Sequence, residues 1–253
     1  MKISIITATY NSLQNIEQCI NSVLSQTYKN IELIIIDGES TDGTIEYLRN
    51  IKDARIKVIS EPDSGIYEAL NKGTNLASGD IIGILHSDDF YIHNDILTKI
   101  NTAFQEQNID ALYGDLLYVD ELNTDEIIRY WKSGKYNPKK WLWGWMPPHP
   151  TVFIKKECYQ KYGNFNLSLW GASDYELMLR FMYKHKISVT YLPEVLVKMR
   201  IGGQSNRSFA NRIKAHLEDV EAWRINKLKQ YPWTTLLKPI RKIHQYFMKY
   251  NGK

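Results

Sequence analysis

Two kinds of apolar pattern alternate along the first 90 residues of the chain. The first kind consists of short runs rich in apolar and β-branched residues, at residues 3–8, 31–36, 56–60 and 80–85, and it predicts strands. The run at residues 31–36 (IELIII) shows no alternation, as expected of a parallel strand covered on both faces. In the second kind, apolar residues recur every three or four positions, which predicts helices. These segments are residues 16–23, 44–50 and 69–77. Strands that alternate with helices predict an α/β fold with a mostly parallel sheet and right-handed crossovers.

Polar residues follow three of these four predicted strands. Residues 9–11 (TYN) come after the first strand, Asp37 and Gly38 after the second, and residues 87–89 (SDD) after the fourth. In open α/β sheets, ligands bind at the carboxyl ends of the parallel strands. We therefore expect the functional site at this edge of the sheet.

The pattern loosens after Asp115, where Trp and Tyr become frequent. A helix is predicted for residues 173–184 and a strand for residues 189–192. The tryptophans of this part are Trp131, Trp141, Trp143, Trp145 and Trp170. If these rings are exposed they can stack on sugar faces, and if they are buried they build a second layer of core. The sequence leaves both interpretations open.

The composition is that of a globular protein with one domain, or with one domain and an appendage. The chain has 253 residues, of which 43% are hydrophobic and 24% are charged. No run approaches the roughly 18 apolar residues that a membrane span requires, and residues 1–10 lack the pattern of an export signal. Cys19 and Cys158 lie far apart, which argues against a disulfide framework or a zinc site. These features predict a cytoplasmic protein.

The positive charge of the chain is concentrated at its end. Residues 206–253 hold 11 Lys or Arg against 3 acidic residues, a surplus of +8, so residues 1–205 carry −4 of the total of +4. A basic tail on an acidic body argues against a protein that binds nucleic acid over its whole surface. The sequence therefore points to a local anionic partner for the tail.

Apolar residues recur at helical spacing in the same tail, with basic residues between them. They are Trp233, Leu236, Leu237, Ile240, Ile243, Phe247 and Met248. Such a helix can lie in a membrane interface, or its apolar stripe can pack on the body of the protein. We favour the membrane, peripherally at the inner face of the plasma membrane, because the surplus of charge exceeds what solubility requires.

Asp88 and Asp89 directly follow a predicted buried strand. Two adjacent carboxylates destabilise each other unless a cation compensates their charge, and Mg²⁺ and Mn²⁺ prefer such oxygen ligands. The alternative is that the pair begins a loop or caps a helix. The role of residues 37–43 (DGESTDG) is also undecided at this point, because the residue types that could bind a ligand also form turns and helix caps.

Five segments together resemble the family 2 glycosyltransferases. They are IITATYNSLQNIEQCINSVLSQTYKNIELIIIDGESTDGT, EPDSGIYEALNKGTNLASGDIIGILHSDD, HPTVFIKKECY, ASDYELMLRF and YLPEVLVKMRIGG. The resemblance runs in order from residue 2 to about residue 205. It implies the Rossmann-like GT-A fold, with residues 1–115 as a half that binds the nucleotide sugar and residues 116–205 as a half that binds the acceptor. Residues 206–253 are then a basic amphipathic helical tail.

The resemblance also implies roles for single residues. Those that match nucleotide-binding positions are Ala8, Tyr10, Asp37, Asp63, Lys72, Ser87, Asp88 and Arg200. The metal-binding DxD motif of the family falls on residues 86–88, with Asp88 and Asp89 as expected ligands of Mn²⁺ or Mg²⁺; His86 departs from the motif.

On the acceptor side, the resemblance places the general base at Asp174, and His149 and Trp170 beside the acceptor. Ser173 stands where many relatives have Glu. The alternative is that Asp174 only caps the helix that follows it, and that His149 and Arg200 have structural roles.

The expected reaction is the transfer of one sugar from a nucleoside diphosphate sugar, with UDP as the expected nucleotide, to an acceptor hydroxyl with inversion. Residues 204–208 lack the Trp of the QxxRW motif of processive relatives. The expected context is the assembly of a surface polysaccharide or a lipid-linked oligosaccharide. Two alternatives stay open: a sugar nucleotidyltransferase, although residues 7–11 contain neither Gly nor Arg, and a non-catalytic sugar-binding protein on a degenerate transferase fold.

Overall fold

The computed structural model describes residues 1–202, 209–250 and 252, and only the backbone of residues 209–212. The strands are β1 Ile3–Thr9, β2 Ile31–Asp37, β3 Ile56–Ser60, β4 Ile81–Ile84, β5 Phe90–Tyr91, β6 Ala111–Val119, β7 Ile127–Trp131, β8 Phe153–Lys155 and β9 Val189–Arg200. The helices are α1 Ile16–Leu24, α2 Thr44–Asn50, α3 Ile66–Leu76, α4 Ile96–Glu106, α5 Lys156–Tyr162, α6 Ser173–Met178, α7 Phe209–Ile225 and α8 Thr234–Ile243. Residues 204–208, which bear on the comparison with processive relatives, lie outside the described residues.

One mixed sheet runs through the body of the protein, in the order β3-β2-β1-β4-β8-β6-β9-β5, with β7 paired to β6. The first four strands pair in parallel, and Thr9, Asp37 and Ser60 lie in register at their carboxyl ends. β1, β2 and β4 are buried almost throughout, as parallel strands covered on both faces are, whereas β3 at the edge of the sheet is only half-buried. The predicted α/β fold class is confirmed.

The second half of the sheet is more varied than its sequence pattern predicts. β8 runs antiparallel to β4 and β6, and β9 runs parallel to β6 with two shifts of register. The strand predicted at residues 189–192 is too short, because β9 continues through Pro193 to Arg200. The helix predicted at residues 173–184 is present as α6 followed by a π-helical turn, Leu179–Lys184.

The five tryptophans divide between buried and exposed positions. Trp131, Trp141 and Trp145 are buried in the main core, whereas Trp143 and Trp170 are exposed. Cys19 and Cys158 are buried and free, as the sequence predicts. Among the described residues, no helix is both long and apolar enough to cross a membrane.

The C-terminal helices pack on the second half of the sheet. α7 contacts α6, and α8 contacts the 3₁₀ helix Pro138–Trp143. Gly144 makes this approach possible: it has a φ of +74°, and a Cβ atom there would lie 2.5 Å from the backbone nitrogen of Lys238. The tail is therefore part of the folded body and lies close to α6, the helix that carries Asp174.

Candidate active site

Asp37 organises the first part of the site, at the end of β2. Its side chain is fully buried, and its carboxylate accepts hydrogen bonds from the backbone and hydroxyl of Ser40 and from the hydroxyl of Ser60, the last at 2.7 Å. One carboxylate thereby holds both Ser60 at the end of β3 and Ser40 in the loop after β2. Asp37 thereby fixes the end of β3 and the loop after β2 relative to each other.

The loop after β1 is tied to the loop after β2. The backbone nitrogen of Asn11 donates to Ser40 Oγ at 2.8 Å, and Asn11 Oδ1 accepts from the backbone of Thr41 at 2.8 Å. Asp42 accepts from the backbone nitrogens of Leu13 and Thr44, both at 3.0 Å. The DGESTDG segment therefore forms turn contacts, and the contacts with Asn11 and Leu13 fix the two loops against each other.

Tyr10 and Ala8 lie at the same edge. Ala8 is buried near the end of β1, whereas the ring of Tyr10 is 60% exposed just beyond it. A large aromatic ring held at the surface beside a polar edge is free to stack on a ligand. Ser87 lies opposite on the β4 side, where its hydroxyl is 2.9 Å from that of Ser12.

Asp63 and Lys72 belong to the loop and helix that follow β3. A Cβ atom at residue 38 would lie 2.9 Å from Asp63 Oδ2, so Gly38 allows this carboxylate to approach the β2 loop. Lys72 donates to the carbonyl of Pro62 at 2.8 Å and pairs with Glu61 at 3.0 Å. The ammonium group of Lys72 thus holds the loop that carries Asp63.

Asp88 and Asp89 lie in the tight turn after β4. Asp88 is half-buried, whereas Asp89 is fully buried, and among the described residues neither carboxylate oxygen of Asp89 has a hydrogen-bond partner. Burial raises the pKa of Asp89 well above its usual value, the charge of Asp88 adds to this, and Arg200 opposes it in part. This turn therefore holds unsatisfied carboxylate oxygens where a cation would stabilise them.

Arg200 braces the same turn from the end of β9. Its buried guanidinium donates to the backbone carbonyl of Asp88 and to the side chain of Gln18, and its Nε donates to the carbonyl of Glu121 at 3.3 Å. In this structure Nε, Nη1 and Nη2 each donate to an acceptor within the protein. These hydrogen bonds use three of the five N–H donors of the guanidinium, so a contact with a diphosphate does not by itself require one of them to open.

The half-buried His86, the buried His149 and Asp174 lie between the two halves of the site. The ring centroids of His86 and His149 are 6.1 Å apart. Burial lowers the pKa of His86, while the negative charges of Asp88 and Asp174 oppose this effect. Burial likewise lowers the pKa of His149, to about 4, against the charge of Asp174. Both imidazoles are thus favoured in the neutral form, and carboxylates from both halves act on His86.

Asp174 lies in the first turn of α6 and is half-buried. Its Oδ1 accepts from Tyr67 Oη at 3.3 Å and from the backbone of Tyr175 at 2.8 Å. Among the described residues, no hydrogen bond reaches its Oδ2. Burial raises the pKa of Tyr67 well above the usual value, with Asp174 adding to the shift, so the hydroxyl stays a donor. One oxygen of Asp174 is thereby held in place, while the other accepts no hydrogen bond from the described residues.

Glu218 of α7 fixes the loop in front of Asp174. Its carboxylate accepts hydrogen bonds from the backbone nitrogens of Trp170 at 3.0 Å, Gly171 at 2.6 Å and Ala172 at 3.1 Å. Three backbone donors satisfied by one carboxylate make the loop a rigid support for the start of α6. Sequence reasoning missed Glu218, because nothing in the pattern of the tail links it to residues 170–172.

Trp170 itself lies at the rim of the site. Its ring is 44% exposed, and Lys214 Nζ lies 4.6 Å from the ring centroid. Sequence reasoning also missed Tyr67 as a partner of Asp174. Tyr67 stands inside the quoted EPDSGIYEALNKG segment, but a tyrosine on a helix carries no signal of a partner 107 positions away.

The expected divalent cation can be tested against these side chains. In the described part of the chain, no group of three or more His, Cys, Asp or Glu residues is placed to hold a metal by itself. Mg²⁺ and Mn²⁺ at nucleotide sites are held by one or two carboxylates together with phosphate oxygens and waters. Asp88 is half-buried and suits that role, whereas both carboxylate oxygens of Asp89 are fully buried, so a cation reaches Asp89 only if the turn rearranges.

The structure brings most of the predicted residues to one edge of the sheet. Asp88, Asp89, Arg200, His149 and Asp174 share contacts or electrostatic influence around His86. Another group lies at the ends of β1 to β3; its members are Ala8, Tyr10, Asp37, Asp63 and Lys72. Trp170 stands apart at the rim, connected through the loop that Glu218 holds.

Known proteins similar to this chain are glycosyltransferases. The family model described as glycosyl transferase family 2 matches residues 4–163. A relative from Haemophilus influenzae, named an uncharacterized glycosyltransferase, is 34% identical over 216 residues, which cover 84% of each chain. Asp174 and Arg200 lie beyond the segment that the family model matches.

Two solved structures show a similar fold at low sequence identity. S. aureus TarS 1–349 in complex with UDP-GlcNAc superposes with a TM-score of 0.70 at 17% identity, over 89% of this chain and 65% of that one. The Pyrobaculum calidifontis mannosyltransferase PcManGT, in complex with GDP-Man and Mn²⁺, gives a TM-score of 0.66 at 19% identity, over 96% of this chain and 70% of that one. With the family match and the Haemophilus relative, the conclusion is that the chain belongs to glycosyl transferase family 2.

Proposed function

We propose that this chain transfers one sugar from a nucleoside diphosphate sugar to an acceptor hydroxyl, with inversion at the anomeric carbon. The observation that carries the proposal is that Asp88 and Asp174, which are 86 positions apart in the sequence, both act electrostatically on the half-buried His86, whose ring centroid lies 6.1 Å from that of His149. In this proposal Asp88 serves the diphosphate and Asp174 serves the acceptor. The nucleotide sugars bound to TarS and PcManGT support this choice of donor.

The proposed step needs one base and no protein nucleophile. Asp174 Oδ2 takes the proton of the acceptor hydroxyl as its oxygen attacks the anomeric carbon. The new bond joins the acceptor oxygen to that carbon, and the bond from the carbon to the diphosphate breaks on the opposite face. The nucleoside diphosphate leaves with the bonding electrons, and the anomeric configuration inverts.

The remaining residues position the donor and the leaving group. Tyr10 stacks on the base, Ala8 and the loops fixed by Asp37 and Asp63 surround the nucleoside, and Lys72 holds the Asp63 loop. Asp88 and Asp89 would hold Mn²⁺ or Mg²⁺, whose charge, when bound, offsets that of the departing diphosphate. The Mn²⁺ bound to PcManGT supports this part of the proposal. Ser87 and Arg200 lie beside the same diphosphate position.

The acceptor side is formed by His149 and Trp170 in this proposal, with a carbohydrate or lipid-linked acceptor beside Asp174. We propose UDP as the nucleotide, and surface polysaccharide or lipid-linked oligosaccharide assembly at the cytoplasmic side as the context.

A panel of UDP-sugars and GDP-sugars tests the function directly. With Mn²⁺ present, release of nucleoside diphosphate from one donor is expected, by transfer or by slow hydrolysis, and EDTA should suppress this release.

Asp88→Asn should abolish the metal-dependent part of donor binding in calorimetry. The matched change Asp125→Asn, at an exposed site in the turn before β7, should leave donor binding unchanged. Pyrophosphate release from a nucleoside triphosphate and a sugar phosphate would instead identify a nucleotidyltransferase. Binding without turnover of any donor would identify a sugar-binding protein.

A further inference from the structure

Helix α8 packs on the body of the protein through its polar side. Thr234 and Thr235 are buried, as is Gln245 in the 3₁₀ turn that follows, while Lys238 and Lys242 are half-buried between them. These positions fall on one face of a helix. An amphipathic helix at a protein surface ordinarily buries its apolar face, so α8 has the reverse orientation.

Specific contacts hold this orientation. Thr234 Oγ1 donates to the carbonyl of Leu142 at 2.8 Å, and Lys238 Nζ pairs with Asp219 at 2.6 Å. Lys242 Nζ lies 5.1 Å from the centroid of the Trp131 ring. Gly144 allows the backbone of α8 to lie against the chain without an intervening side chain. Turning the helix over would break the ion pair and leave the buried Asp219 without its cation, which is costly.

The opposite side of the helix presents an apolar stripe to solvent. We define this stripe as Trp233, Leu236, Ile240, Ile243 and Phe247, whose spacings of three and four place them on one face. Each is at least 42% exposed, and Phe247 reaches 81%. Two further exposed rings extend it at Trp233: the Tyr231 centroid lies 4.9 Å away and the Trp143 centroid 6.2 Å away. A contiguous exposed apolar patch of this kind marks an interaction surface.

The charge around the stripe is of one sign. Residues 227–253 contain 7 Lys or Arg and no Asp or Glu. Lys227, Lys229, Arg241 and Lys249 are exposed. Apolar and aromatic side chains with a rim of basic residues match the boundary between acyl chains and anionic headgroups.

We propose that the apolar stripe docks on an anionic lipid surface, with its side chains in the acyl boundary and the basic residues among the headgroups. A second copy of this chain is a poorer fit, because a twofold contact would bring two wholly basic segments together. The polar contacts under α8 keep the stripe facing outward, so docking requires no rearrangement of the body. Docking on lipid does not depend on the proposed sugar transfer, because binding to vesicles can be measured without donor or acceptor.

Flotation with vesicles tests the proposal on the full chain at low salt. Wild type is expected to float with phosphatidylglycerol vesicles and not with phosphatidylcholine vesicles. The triple change Leu236→Gln, Ile240→Gln and Ile243→Gln should reduce the bound fraction by about tenfold or more. Leu122→Gln, at another highly exposed leucine far along the chain in the β6–β7 turn, is the matched control and should bind like wild type. The unfolding temperature shows that each variant is folded.

Three outcomes would overturn the proposal. Wild type could fail to float with anionic vesicles at low salt. The folded triple variant could float as well as wild type, in which case charge alone is responsible. Light scattering could find a wild-type dimer that the triple variant converts to a monomer, with no vesicle binding, and the stripe would then be a contact between copies. A folded, vesicle-binding protein without sugar transfer would leave this proposal standing and remove only the proposed function.

Discussion

Single carboxylates fix the loops of this site, and each does so by accepting several hydrogen bonds at once. Asp37 accepts from Ser40 and Ser60 at the nucleotide side, and Glu218 accepts from three consecutive backbone nitrogens in front of Asp174. Replacing such a carboxylate by an amide puts an NH₂ group where a second acceptor oxygen was. This NH₂ group then faces the N–H or O–H group that had donated to that oxygen, and a hydrogen bond is lost. The residues that position the site can therefore be separated from those proposed to react.

Glu218→Gln should lower kcat by about tenfold while the KM for the donor changes little. The reason is that the amide nitrogen faces a backbone N–H, so the loop before Asp174 shifts and the base loses its alignment. Steady-state kinetics measures the split between kcat and KM, and the unfolding temperature is recorded for the same samples. Glu221→Gln, one turn further along α7, is the control. Equal losses in kcat for both variants, or a loss explained by partial unfolding, would contradict a positioning role for Glu218.

At the scale of elements, the sequence predicts the first half of the fold far better than the second. β1, β2 and β4 are mostly apolar runs that are buried almost throughout. The helix pattern of Ile16, Cys19, Ile20 and Val23 matches the buried face of α1. β5 has two residues and β8 has three, too few for a period to show. Pro193 lies within β9, where it argues against a strand.

The residues of the candidate site from the first half of the chain could likewise be predicted from the sequence better than those from the second half. Residues after β1, β2 and β4 are predictable because parallel strands bring their carboxyl ends to one edge. The partners of Asp174 are not, since Tyr67 and Glu218 come from distant helices through packing that no local pattern encodes. The orientation of α8 could not be predicted either, because its periodicity defines two faces without stating which one the body covers.

Gly144→Ala should destabilise the protein by about 1–3 kcal/mol, since the residue has a left-handed φ and the new methyl group meets the backbone of α8. Urea unfolding followed by tryptophan fluorescence measures the free energy of unfolding. Gly252→Ala is the matched control, because Gly252 also has a positive φ of +53° but no atom of the described residues lies within 4 Å of its Cβ position. If the two variants are equally stable, the close packing of α8 against residue 144 is wrong.

At the scale of the whole molecule, the amino-terminal strands are joined by a carboxylate far from the site. Glu32 on β2 accepts from Lys2 Nζ at 2.8 Å and from the backbone of Ser78 at 2.6 Å, and also from the hydroxyl of Ser4. Burial alone would raise the pKa of Glu32, but these hydrogen bonds outweigh it and lower the pKa to about 2 from 4.5. The ionised form is the one that the folded protein stabilises.

The sign of the pH dependence follows from that shift. Because the folded pKa lies below the unfolded value, Glu32 contributes stability above pH 4.5, and this contribution is lost as the pH falls from about 4.5 to about 2. Glu32→Gln should therefore be less stable than wild type at pH 7, with the gap narrowing toward pH 3. Glu126→Gln, at an exposed position in the β6–β7 turn, should show no such gap. A gap for Glu32→Gln that is the same at pH 7 and pH 3 would contradict the linkage.

The role of Asp174 as the base is tested most directly by measuring donor binding and turnover on the same preparation of Asp174→Asn. Calorimetry with the active nucleotide sugar and Mn²⁺ should give an affinity close to that of wild type. Transfer to the acceptor should fall by roughly 10² to 10⁴, the usual effect of removing a positioned general base. The change Asp125→Asn should alter neither quantity. Turnover of Asp174→Asn within a few-fold of wild type, at unchanged donor affinity, would contradict the assignment of Asp174 as the base.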